Sequence, residues 1–107
     1  MEEIERAQYS IGETAKMFGV NTSLLRYWEK EFDMIKPNKN KKGDRFFTTK
    51  DIETIRTIYY LTKVKGYTLQ GAKDALKSNF AKEAGNAMVV ETLLKIKNKL
   101  LEIKQEL

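Results

Sequence analysis

The sequence predicts a mostly α-helical fold with one small β-hairpin and a coiled-coil helix at its C-terminal end. Three observations carry that prediction. A capped helix, a glycine and a second amphipathic helix follow one another within residues 10–32. A polar, Lys-rich stretch between apolar ends occupies residues 34–47. Finally, apolar residues from Val89 to Leu107 recur at alternating spacings of four and three.

Composition narrows the function classes. A chain of 107 residues allows one hydrophobic core plus an appended element. Its apolar runs are too short to span a bilayer, and the acidic start Met1–Glu5 is unlike a signal peptide, so a cytoplasmic protein without a membrane partner is expected. Cys and His are both absent. Their absence removes disulfides, zinc fingers, Cys or His nucleophiles and the usual transition-metal sites. No Gly-rich phosphate loop or paired-acid motif stands out either, so no enzyme, cofactor or metal is expected. Lys and Arg outnumber Asp and Glu by 20 to 15, for a net charge of +5. Such an excess suits a polyanionic partner, but the placement of the charges has to decide.

Residues 1–8 read as a polar lead-in. Ser10-Ile11-Gly12-Glu13 has the form of a capping box, in which Ser and Glu each satisfy a free backbone N–H of the helix start. The helix it opens runs from Ile11 to about Phe18, with Ile11, Ala15 and Phe18 on one face. Gly19 tolerates the positive φ of a helix end, and Val20 is placed to plug the turn. Asn21 or Thr22 then caps a second helix to about Glu31, completing helix-turn-helix spacing.

The stretch from Met34 to Phe47 holds the chain's only Pro, a Gly and a cluster of lysines between apolar ends, the pattern of a β-hairpin with a basic tip. Thr48-Thr49-Lys50-Asp51 offers a third helix start, and Ile52, Ile55, Ile58, Tyr59 and Leu61 give it an apolar stripe to about Lys65. Gly66 ends that helix, and Thr68 caps a fourth through Leu76. A looser stretch over 77–86 contains Ser78, Asn79, Gly85 and Asn86. Beyond it, Val89, Leu93, Ile96, Leu100, Ile103 and Leu107 form the a/d seam of a coiled coil. The expected division is a helix-turn-helix and hairpin domain over 9–77 and a dimerisation helix over 86–107.

Chemistry gathers on two surfaces. At 100° per residue, Leu24, Leu25, Trp28 and Phe32 form the core side of the second helix. Thr22, Ser23, Arg26, Tyr27 and Lys30 fall opposite, and their hydroxyls and cations suit phosphate oxygens and major-groove base edges. The same residues also suit an ordinary solvated helix face. The hairpin shifts the balance. Lys36, Lys39, Lys41, Lys42 and Arg45 crowd it, opposed only by Asp44, as a wing lying along a phosphate backbone requires. Tyr67 and Thr68 begin the fourth helix, where backbone N–H groups and a phenol suit a phosphate; a plain capped helix with Tyr67 packed inward fits equally.

The motifs Tyr9-Ser10-Ile11-Gly12-Glu13, Leu25-Arg26-Tyr27-Trp28-Glu29, Lys36-Pro37, Gly43-Asp44-Arg45-Phe46-Phe47 and Asp51-Ile52 occur in a characteristic order and spacing. Over about residues 9–77 the sequence thereby resembles the MerR-type transcriptional regulators. The resemblance implies a winged helix-turn-helix, a second wing near Gly66–Leu69 and a terminal helix forming an antiparallel dimeric coiled coil. It matches Ser23, Arg26 and Tyr27 to recognition-helix positions that contact DNA, Arg45 to a wing arginine on phosphate, and Tyr67 to the second-wing aromatic. It further implies a homodimer on pseudo-palindromic, double-stranded promoter DNA, whose distortion changes its alignment for RNA polymerase. Three departures stand out. Asp44 replaces an aromatic, Phe46-Phe47 lacks a tyrosine hydroxyl, and no effector domain or sensing cysteine is expected after the terminal helix.

Two rival readings remain open from sequence. One is an excisionase-like architectural protein that bends DNA, against which the long pairing helix argues. The other is a protein–protein adaptor built on the terminal helix, which leaves the basic hairpin unexplained.

Overall fold

A computed structural model describes residues 8–106, arranged as two compact units divided between Tyr59 and Tyr60. The first unit contains β1 (Tyr9–Ser10), α1 (Ile11–Phe18), α2 (Thr22–Glu31), β2 (Asn38–Lys39), β3 (Arg45–Phe47) and α3 (Thr49–Tyr59). The fold is mostly helical with a small antiparallel sheet and a long C-terminal helix, as the sequence predicts.

The capping box forms as expected: Glu13 N–H donates to Ser10 Oγ at 3.1 Å, and Ser10 N–H donates to Glu13 Oε1 at 2.9 Å. Gly19 then takes φ 63°, while its N–H and that of Val20 close onto the carbonyls of Lys16 and Ala15. This left-handed cap turns the chain into α2. Asn21 precedes α2 in extended geometry but makes no side-chain cap, so the helix start is held by its backbone carbonyl alone.

The expected hairpin gains a third strand. β3 pairs antiparallel with β2 (Asn38 with Phe46, Lys39 with Arg45) and with β1 (Tyr9 with Phe47, Ser10 with Phe46). β1 has two residues, too few for a period-2 pattern, and its partner is far along the chain.

Leu25, Trp28 and Phe32 of α2 and its end are buried with Tyr9, Ala15, Ile35, Phe47, Ile52, Ile55 and Ile58. Each such large side chain contributes about 1.5–3 kcal/mol on burial. Thr54 and Thr57 are buried as well; their hydroxyls donate back to the carbonyls of Lys50 and Glu53, so no polar atom is stranded.

The second unit opens with a π-helical segment, Tyr60–Val64, where an α-helical continuation was expected. Lys65 N–H reaches Tyr60 O at 2.9 Å, the wider i→i−5 bond of that geometry. Gly66 (φ 75°) ends the segment, and α4 (Leu69–Glu106) begins under a Thr68 cap whose Oγ1 accepts from Gly71 N–H at 3.0 Å. The stretch 77–86, expected to be loose, is helical apart from Asn79, which leaves helical geometry at φ −157°, ψ 53°. Glu83 is buried here against Lys65, and Ala87 is buried just beyond. Leu61, Ala72 and Leu76 are buried in this unit, and no helix among the described residues is long and apolar enough to cross a membrane.

Candidate nucleic-acid interface

Burial of Leu25, Trp28 and Phe32 fixes which side of α2 faces outward. Ser23, Arg26, Tyr27 and Lys30 are exposed on it, while Thr22 and Leu24 are half-buried. Lys36, Lys39, Lys41 and Lys42 are exposed along the hairpin. The first unit therefore carries both of the basic surfaces singled out in the sequence.

The hairpin is held at its tip and at its root. At the tip, Asn40 Oδ1 accepts the N–H groups of Lys42 (2.9 Å) and Asp44 (3.0 Å), and Asn40 Nδ2 donates to Asp44 Oδ2 at 3.1 Å. Gly43 supplies the required positive φ of 86°. Asp44, the departure from the family pattern, thus helps close the turn that displays Lys41 and Lys42. At the root, the buried Asp51 carboxylate accepts from Lys36 N–H and from Thr48 N–H, both at 3.1 Å, while Asp51 N–H donates to Thr48 Oγ1 at 3.1 Å. One carboxylate thereby caps α3 and anchors the strand entering the wing.

Arg45 is not a free surface cation. Its Nε donates to Glu29 Oε1 of α2 at 2.5 Å, and the two side chains are 26% and 17% exposed. Beside this pair, Arg26, Gly43, Asp44, Arg45 and Phe46 line a cleft of about 220 Å³ together with Ser10 and Ile11. Two guanidinium groups on one concave surface between helix and hairpin can engage a phosphate group by charge-assisted hydrogen bonds. The sequence assigns Glu29, Asn40 and Asp51 no site role: Glu29 and Asp51 meet Arg45 and Lys36 across long stretches of chain, and Asn40 is engaged inside a turn whose closure only the fold reveals.

Tyr67 and Thr68 belong to the second unit. Both are exposed, Thr68 serving as the α4 cap. Lys65 Nζ lies 4.7 Å from the Tyr67 ring centroid, 5.8 Å from that of Tyr60 and 3.6 Å from Glu83 Oε2. A hydrogen bond to Tyr67, aided by the Glu83 charge, outweighs desolvation and holds the Lys65 ammonium above the usual lysine value. Lys65 thus makes a cation–π contact with the Tyr67 ring.

Along α4, Val89, Leu93, Ile96, Leu100 and Ile103 are all exposed, and so are Met88, Leu94 and Leu101 outside the expected seam. Leu107 lies outside the described residues. No cluster of His, Cys, Asp and Glu that could hold a metal occurs among the described residues.

Residues 9–79 match a family model described as MerR HTH family regulatory protein. The HTH-type transcriptional regulator MlrA of Escherichia coli is 38% identical over 52 residues, which are 49% of this chain and 21% of MlrA. The chain thus spans about a fifth of that relative's length. The transcriptional regulator ZntR of Escherichia coli is 26% identical over 101 residues, covering 90% of this chain and 71% of ZntR. Among solved structures, a MerR-family transcriptional regulator from Bacillus cereus superposes with a TM-score of 0.59 at 21% identity, over 92% of this chain and 75% of that one. HiNmlR, a MerR family regulator lacking the sensor domain and bound to promoter DNA, gives 0.53 at 24% identity, over 91% and 86%. At these identities the structural likeness is one of fold.

Proposed function

The chain belongs to the MerR HTH family of regulatory proteins, and from that membership we propose that it is a sequence-specific DNA-binding transcriptional regulator working as a homodimer on a pseudo-palindromic promoter site. In this reading α2 enters the major groove. Thr22, Ser23, Arg26, Tyr27 and Lys30 meet base edges and flanking phosphates there. The hairpin is the wing, whose Lys36, Lys39, Lys41, Lys42 and Arg45 follow the backbone. Tyr67 and Thr68 contribute a second phosphate contact. The observation that carries the proposal is the cleft shared by Arg26 and Arg45, which joins the recognition helix and the wing in one cationic surface.

Dimerisation is assigned to α4. The exposed stripe of Val89, Leu93, Ile96, Leu100 and Ile103, flanked by exposed Met88, Leu94 and Leu101, is best buried by a second copy of the same helix. Half-site spacing then follows from the pairing geometry, and RNA polymerase at the bound promoter is the further partner. Selection of bound fragments from source genomic DNA tests the proposal. It expects enrichment of an inverted repeat; recovery of unenriched fragments would contradict it.

A further inference from the structure

Glu29 is an acid on the helix assigned to DNA, a place where a carboxylate is repelled by phosphates. It nevertheless engages Arg45 Nε across sixteen residues of sequence, from α2 to β3. We infer that Glu29 is a positioning residue for backbone recognition, holding the Arg45 guanidinium so that its remaining N–H groups face a phosphate and the wing keeps a fixed spacing from the recognition helix. The inference rests on the DNA-binding reading and adds a residue that reading does not use.

Three features support it. The contact engages Nε, one of the five N–H donors of a guanidinium, and the fork on the far side remains for an anion. Both side chains are partly shielded, so the pair is screened less than one on the open surface. The acid that lines the cleft, Asp44, is already held by Asn40 at the wing tip, and the carboxylate aligned on Arg45 is that of Glu29 beside the cleft. With Nε fixed and the outer fork left over, the geometry favours a role in orientation.

The consequence opposes simple charge counting. Removing a negative charge from a DNA-facing helix should tighten binding if Glu29 is a bystander or competes with DNA for Arg45. Positioning predicts the reverse. The test is equilibrium binding of the full chain to specific and to random duplex at fixed salt, for wild type, E29A, E29D, R45A and the E29A/R45A pair. E29D keeps the charge but shortens the reach, so its loss reports geometry and serves if E29A fails to fold. Expected is a loss of about tenfold for E29A, equal on both duplexes because phosphates carry no base identity, a smaller loss for E29D, and a double variant no weaker than R45A alone, as coupled residues require. Equal or tighter binding by E29A or E29D, or losses that multiply in the double variant, would overturn the positioning role alone. Absence of wild-type binding to any duplex would overturn the DNA-binding reading, and the positioning role with it.

Discussion

The Asp51 carboxylate accepts the backbone N–H of Lys36, fifteen residues earlier, at 3.1 Å, and with its other oxygen the N–H of Thr48. The start of α3 and the root of the wing are therefore one construction. Asp51 is 4% exposed, so its loss removes two hydrogen bonds to a buried carboxylate. Asp51→Ala should destabilise the fold by about 2–3 kcal/mol, the range for losing hydrogen bonds to a buried charged acceptor. Urea unfolding checks this: the midpoint should fall with the slope unchanged. An unaltered midpoint would mean that the wing root is held some other way.

The local parts of this fold were legible in the sequence, and the non-local parts were not. Ser10 and Glu13 are three residues apart, so their reciprocal cap follows from chemistry within one helical turn. Trp28 and Leu25 declare the inner side of α2 by periodicity alone, and the exposed Arg26 and Tyr27 follow. The pairing of Tyr9 with Phe47 has no such signal, because two-residue strands carry no pattern. Thr54 and Thr57 appear polar in sequence yet are buried, since their hydroxyls return to the helix's own carbonyls. Residues 77–86 are loose by composition, yet they are helical except at the kink at Asn79, a continuity that composition does not signal. In the candidate site, the cations could be named from sequence; Glu29, which meets Arg45, and Asp51 and Asn40, which hold the root and tip of the hairpin, could not. Their partners lie on other elements or across a turn.

The turn between α1 and α2 gives a second prediction. Gly19 has φ 63°, and a Cβ added there meets nothing within 4 Å, so the cost of Gly19→Ala is one of backbone conformation alone. It should be about 1–2 kcal/mol. Gly19→Asn should cost less, because Asn tolerates the left-handed region. Thermal melts of the two variants in parallel give the comparison, and an Asn variant less stable than Ala would contradict the assignment.

The two arginines of the shared cleft should fail in different ways. Arg45→Ala should weaken binding to all duplexes alike. Arg26→Ala should relax sequence preference, by about 1–3 kcal/mol if it makes a bidentate base contact. Binding profiles across a library of half-site variants separate the two, and identical profiles would show that at least one role is misassigned.

Leu100 is 62% exposed in the single chain, so a charge there costs the isolated fold little. In a paired seam it is costly. Leu100→Asp should convert dimer to monomer with the helical signal of residues 9–77 retained, and should abolish high-affinity binding to a full operator by removing the tethered second half-site. Sedimentation with circular dichroism is the measurement; a folded variant that stays dimeric would refute the pairing role of α4.

In the proposed function the basic side chains of α2 and the wing meet the phosphate backbone as a dimer. The salt dependence of binding to a selected genomic fragment tests this most directly, because each phosphate neutralised releases condensed counterion. If a dimer neutralises about eight phosphates, log K should fall with log salt at a slope near −7, with two chains bound per site. A slope near zero, or no binding at low salt, would contradict it.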